Sequence, residues 1–205
     1  MWRAVAGGHG EAMTSPVNRI LNASLYFAPT LYLIADVLYA ARGWDDPGAA
    51  VVHVLASIAY TFVMLWVVQR STGYPAAVLL VAGAIGVAGS VAYGFDTIHV
   101  SLGDTALVDA VGAAVLIKPL GLCFPLMLLL CALALRRYGP GWAVASIAVA
   151  SLAWPVAHIA NLAWLAVAVN VALVAGFAGV AARRPAPHRS VDQPDRVATG
   201  ADRAR

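Results

Sequence analysis

The chain has 205 residues, of which 61% are hydrophobic and only 11% charged, and its mean hydropathy is +0.80. Soluble domains carry about 25% charged residues, so a freely soluble globular protein is excluded and a membrane-embedded helical bundle remains. The 13 basic and 10 acidic residues leave a net charge of +3. Every basic residue except Lys118 is arginine, and Lys118 lies inside a long apolar run.

Before the first apolar segment, Gly7, Gly8, His9, Gly10, Glu11 and Pro16 occupy the place where a signal peptide would carry its apolar stretch. Residues 1–19 therefore read as a short cytoplasmic segment. Six apolar segments follow, each near the ~20 residues that cross a bilayer as a helix. They run from Ile20 to Ala41, Ala49 to Val68, Tyr74 to Phe95 and Ala106 to Leu135, and a last pair shares Trp142 to Ala182. That last stretch holds two helices if the chain turns tightly between His158 and Leu162. Residues 20–182 thus form one all-α domain of six transmembrane helices. Residues Arg183 to Arg205 are rich in Arg, Pro, Ala and Asp and read as a disordered cytoplasmic tail. Its arginines either solubilise it or touch anionic lipid headgroups.

Six crossings place both termini on one side. That side then holds Arg3, Arg19, Arg70, Arg136, Arg137 and the tail arginines, eleven in all, and the other side only Arg42. The positive-inside rule makes the arginine side cytoplasmic, in the plasma (inner) membrane. Trp44, Tyr74, Tyr138 and Trp142 stand at segment ends, as interfacial aromatics do. The pairs Gly86/Ser90, Ser90/Gly94, Ala172/Gly176 and Ala175/Gly179 have the small-xxx-small spacing that lets helix backbones approach. Cys123 and Cys131 are eight helical residues apart, about 12 Å, so they do not bridge each other.

Function must come from polar residues inside the membrane, where an ionisable side chain costs about 3 kcal/mol and needs a partner. Counted from the arginine-bearing ends at 1.5 Å per residue, Asp36, His53, Tyr93, Lys118 and His158 all fall about 26–28 Å along their segments. This predicts one polar level near the outer face. Asp36 is the natural partner of Lys118. Pro119 and Pro125 are expected to kink the fourth helix. Close to the same level lie Asp96, His99, Asp104, Asp109 and Asn161.

The null expectation is that the Lys118–Asp36 pair and the histidines only lock helices together. Three functional readings compete with it. A metal could be held by His53, His99, His158 and an aspartate, although no diagnostic ligand spacing is present. His53 and His158 could be axial ligands of a b-type haem. Asp36, His53, Lys118 and His158 could form a proton relay or an ionisable substrate pocket. Asp96 and His99 would share a helix face and could orient a water, or they belong to a solvated loop.

The stretch Arg136-Arg137-Tyr138-Gly139-Pro140-Gly141-Trp142 resembles the arginine-flanked Pro-Trp turn of a broad group of small bacterial multi-pass membrane proteins. That resemblance implies no activity and no cofactor. Membrane hydrolases of the ceramidase and progestin-receptor type use Ser-xxx-His, a distant Asp and His-xxx-His. This chain has His53-xxx-Ser57 in reversed order, and Leu162 where the second histidine would stand, so the pattern fails. Lys118 with Asp36 imitates the lysine and counter-ion of microbial rhodopsins, but on the fourth of six helices. The residues thus point to a multi-pass protein in contact with the lipid bilayer and not with nucleic acid. It would carry an outward-facing polar pocket for a small or lipidic ligand, a transported solute or protons. A membrane-embedded enzyme acting on a lipid or isoprenoid-like substrate and a structural partner subunit are the alternatives.

Overall fold

A computed structural model describes residues 15–183. Residues 1–14 of the expected N-terminal segment and the tail beyond Arg183 lie outside the described residues, and the first helix starts at Pro16, so residues 16–19 belong to it and not to a separate segment. Six helices are long and apolar enough to cross a membrane: α1 Pro16–Arg42, α2 Pro47–Val68, α3 Tyr74–Ser101, α4 Ile117–Leu135, α5 Gly141–Ile159 and α6 Ala163–Ala182. Among the described residues there is no strand. The chain is an all-α, multi-pass membrane bundle.

Local chemistry sets the helix ends. Ser15 caps α1 by accepting the Asn18 N–H, with proline at the first helical position. Asp46 does the same for α2 through the Ala49 N–H at 2.7 Å, followed by Pro47. Gly43, at φ +100°, stops α1 in a backbone region that disfavours other residues. Between α5 and α6 the turn is three residues, Ala160 to Leu162, with Asn161 at φ 52°. His158 therefore stays on α5.

Two boundaries differ from the hydropathy reading. The third helix continues past Phe95 to Ser101, so Asp96 and His99 are helical. The fourth begins at Ile117 and not at Ala106. Residues 102–116 form a connection with two short 3-10 turns, Leu107–Asp109 and Gly112–Leu116. Gly103 and Gly112, at φ +93° and +83°, break this stretch, which its apolar composition disguised. Pro119 consequently sits in the first turn of α4, where its missing N–H has no helical partner to lose, and it does not kink the helix. Pro125 is the proline inside α4.

Each helix packs against the next in sequence, and α6 closes the ring on α1. Tyr32, Tyr60, Phe124 and Phe177 fill the centre. Phe124 stacks on Tyr32 at 5.3 Å and meets Tyr60 edge-on at 5.2 Å. The outward faces are apolar ridges at helical spacing, such as Val51, Leu55 and Ile58 on α2 and Val149, Leu152 and Val156 on α5. A ring greasy on all sides suits hydrocarbon and not water.

The small residues set the helix spacing. A Cβ on Gly86 would lie 2.5 Å from the Cys123 carbonyl carbon and the Phe124 nitrogen, so α3 and α4 touch backbone to backbone. On Gly176 it would lie 2.9 Å from the Ala143 carbonyl oxygen of α5. Both approaches are the close contacts that small residues permit in membranes. Gly86→Val is expected to destabilise the bundle by about 3 kcal/mol or more, because backbone cannot yield as a side chain can. Gly141→Ala, with open space around it, should change stability by less than about 0.5 kcal/mol. Unfolding of both variants in one detergent checks the pair.

Candidate functional site

Three connections meet at one end of the ring: residues 43–46, 102–116 and 160–162. This end carries Asp45, Asp46, Asp96, Asp104 and Asp109 against Arg42 and Lys118. The opposite end carries Arg19, Arg70, Arg136, Arg137 and Arg183, with no acidic residue among the described residues. At the acidic end a cavity of about 500 Å³ enters the bundle. His53, Tyr93, Lys118 and His158 line it, as do Asp96, Asp109 and Asn161. These residues come from five elements that the sequence separates by more than a hundred positions.

Asp36 is not on the cavity wall but sealed behind it, with no exposed surface. Its Oδ2 accepts a hydrogen bond from Asn170 Nδ2 on α6 at 2.6 Å. The same NH₂ group also donates to the Ala166 carbonyl at 3.3 Å, which fixes the orientation of the amide. His158 Nε2 stands 3.4 Å from the same carboxyl oxygen.

The expected Lys118–Asp36 pair does not form. Lys118 Nζ donates to Asp109 Oδ1 at 2.8 Å at the cavity rim, and both side chains are more than half exposed. With α4 beginning at Ile117, Lys118 is an end-of-helix residue that reaches water, not a mid-membrane one. The rhodopsin-like arrangement falls with the pair.

The proton inventory around Asp36 is informative. His158 Nδ1 lies 3.0 Å from the Trp154 carbonyl, an acceptor only, so Nδ1 carries a hydrogen. Nε2 then faces the Asp36 carboxyl oxygen at 3.4 Å without a hydrogen bond to it. The ring is held in place by stacking on Trp154, with centroids 3.9 Å apart and planes 15° from parallel.

A second polar group surrounds His53. Ser57 Oγ donates to the His53 carbonyl at 2.9 Å, so it must accept from Ser90 Oγ at 2.8 Å. Ser90 has then used its proton. It accepts from His53 Nε2 at 3.1 Å or from the Tyr32 hydroxyl at 3.3 Å. His53 Nε2 also lies 3.1 Å from the Ser90 carbonyl oxygen, which only accepts. Nε2 is therefore the protonated nitrogen, and Nδ1 is a bare acceptor. In this arrangement His53 donates to Ser90 and does not act as its base, so no activated serine is present.

The metal and haem readings do not fit these contacts. Among the described residues no three His, Cys, Asp or Glu side chains gather closely enough to hold a metal ion. His99 points to Asp104, with Nδ1 3.4 Å from Oδ2, and is not on the cavity wall. The Tyr32 ring packs against both His53, at 4.7 Å, and His158, at 6.2 Å, where a macrocycle would need open space. Asp96 does not orient a free water through His99. Its two oxygens accept the Leu107 and Val108 N–H groups at 2.7 and 3.1 Å, tying the first 3-10 turn to α3.

Sequence reasoning missed Asn170, the polar side chain in the middle of α6 that donates to Asp36. An amide in an otherwise apolar membrane helix was the available signal. It also missed the aromatic wall of Tyr39, Trp44 and Trp154, because aromatics in such segments read as core or interface. Trp44 donates Nε1 to the Asn161 carbonyl at 3.1 Å and stacks on Tyr39 at 5.2 Å.

Fold and site together define a multi-pass helical membrane protein whose ring of helices is hollowed at its acidic end. No family model, curated protein or solved structure matches the chain.

Asn170→Leu, which strips Asp36 of its donor, is expected to cost about 3 kcal/mol. Lys118→Met should leave the unfolding midpoint unchanged, since its partner and its surroundings are wet. The reverse ranking in a detergent unfolding series would contradict these contacts.

Proposed function

We propose that this protein is a small-molecule-binding membrane protein whose cavity opens to the outside of the plasma membrane. The observation that carries the reading is the blindness of the cavity. Its wall carries His53, Ser90, Tyr93 and His158, and Asp36, Ser57 and Asn170 are buried behind it. Beyond Tyr60 the centre is closed by Met64, Met127, Leu128, Leu173 and Phe177, all buried. A channel or a proton wire needs polar groups across the whole span, whereas a binding pocket needs them only at its floor.

Two buried atoms of the cavity lining, His53 Nδ1 and Trp154 Nε1, have no partner among the described residues. Leaving such atoms unmatched costs about 1–3 kcal/mol each, which a ligand can recover. A volume near 500 Å³ lies within the range of about 300–1,000 Å³ typical of small-molecule sites. The arginine-rich end, by the positive-inside rule, faces the cytoplasm and turns the cavity outward. A second reading, an enzyme acting on a lipid or isoprenoid-like substrate, is favoured by one feature, the Asp36–His158 pair. There an imidazole on the cavity wall stands beside a buried carboxyl group, two side chains of the kind that serve in acid–base chemistry.

Two experiments test the main reading. Tyr93→Cys in a Cys123→Ala background is expected to react with a membrane-impermeant maleimide on intact cells. Reaction only after permeabilisation would overturn the orientation. Gly121 lines the cavity, and a Cβ there would meet only Tyr93, at 3.8 Å, so Gly121→Phe fills the space. Native mass spectrometry should show a bound small molecule in the wild type that Gly121→Phe lacks; identical spectra would count against the pocket.

A further inference from the structure

We infer that the ligand of this cavity is a protonated amine, an assignment that rests on the pocket reading above. The argument begins with charge. Asp45, Asp96 and Asp109 line the cavity against one cation, Lys118, which Asp109 already neutralises at 2.8 Å. Asp36, sealed behind the wall, adds a further carboxyl group and no cation. The space is therefore electronegative, and its low-dielectric walls concentrate that field.

The second observation is the wall. Tyr39, Trp44, Tyr93 and Trp154 face the cavity. Trp44 has its N–H committed to the Asn161 carbonyl, so what it offers is an electron-rich ring. Aromatic faces beside carboxylates attract organic cations.

The third observation selects among cations. His53 is 5% exposed and lines the cavity, and its Nδ1, itself covered by the protein, has no partner among the described residues, so a ligand reaches it through a small shift of the ring or its neighbours. Its tautomer is fixed from behind by the Ser90 carbonyl oxygen. A quaternary ammonium has no hydrogen to offer this atom. A primary or secondary ammonium does, and it would satisfy the buried acceptor while its carbon framework lies against the rings. The carrier could be a free amine or the ethanolamine headgroup of a lipid.

The full chain in phosphatidylcholine nanodiscs provides the test, read by tryptophan fluorescence since Trp44 and Trp154 line the cavity. The probes are benzylammonium, its neutral counterpart benzyl alcohol, the anion phenylacetate and the quaternary benzyltrimethylammonium. Benzylammonium should bind about tenfold or more tightly than benzyl alcohol, with phenylacetate weakest. His53→Leu should abolish the preference for benzylammonium over the quaternary probe. Because that change could disturb packing, Asp45→Asn in the exposed turn serves as a second variant. It should weaken benzylammonium by about threefold, less at high salt, and leave benzyl alcohol unaffected. Repeating the titration with phosphatidylethanolamine in the disc separates the sources: competition identifies the headgroup, and unchanged binding identifies a free amine. Equal or tighter binding of the alcohol or of phenylacetate would overturn the amine assignment while leaving the pocket intact. No response to any probe would overturn both.

Discussion

The structure turns on one carboxyl group. Asp36 lies six residues inside the end of α1, about 9 Å below it, with none of its surface exposed. In a hydrocarbon setting such a group must find donors or a proton. Asn170 on α6 and His158 on α5 answer that demand. The two partners bring the last hairpin against the first helix and so close the ring. Aromatic packing continues the constraint, since Trp154 stacks on His158 and also meets Phe124 at 5.7 Å. A single polar residue thus helps to set the register of four helices.

The rest of the ring is held by small residues and shape. Lipid is as apolar as leucine, so burial of apolar side chains does not by itself draw membrane helices together. Close approach does, and Gly86 and Gly176 mark where backbones meet. The arginine-bearing half has the buried apolar core of Met64, Met127, Leu128, Leu173 and Phe177. The acidic half holds the cavity, and Asp96 and the Lys118–Asp109 pair hold the 102–116 connection at its rim.

Much of this architecture is legible in the sequence, for identifiable reasons. Hydropathy over about 20 residues reports helix length directly, and the turn between His158 and Leu162 was recoverable because an odd number of crossings would split the arginines. Equal residue counts from the arginine end brought His53, Tyr93, Lys118 and His158 to one level, and all four line one cavity. Depth is what a residue count measures. It does so only where the segment ends are read correctly: the late start of α4 puts Lys118 at the wet rim with Asp109, while Asp36 lies six residues inside the end of α1. The partner Asp36 uses, Asn170, carries no charge, so a search for charge balance passes over it.

The charge distribution links orientation to chemistry. Arginine gathered at one end is what the insertion machinery reads. The chain places its aspartates at the other end, where Asp45, Asp96 and Asp109 sit around the cavity that enters the bundle. The proposed orientation and the pocket potential both rest on this one segregation. A substitution that moved positive charge to the acidic rim would weaken both at once: it would blur the topological signal and cancel the field at the cavity mouth. Arg42 is the exception that clarifies the arrangement. It is the arginine on that side, it lies 3.9 Å from Asp46 across the α1–α2 turn, and it is not among the residues that line the cavity. The cation that does line it, Lys118, is held by Asp109. Both positive charges at this end are thus tied to carboxylates, and Asp45 and Asp96 are left to set the sign of the space between the helices.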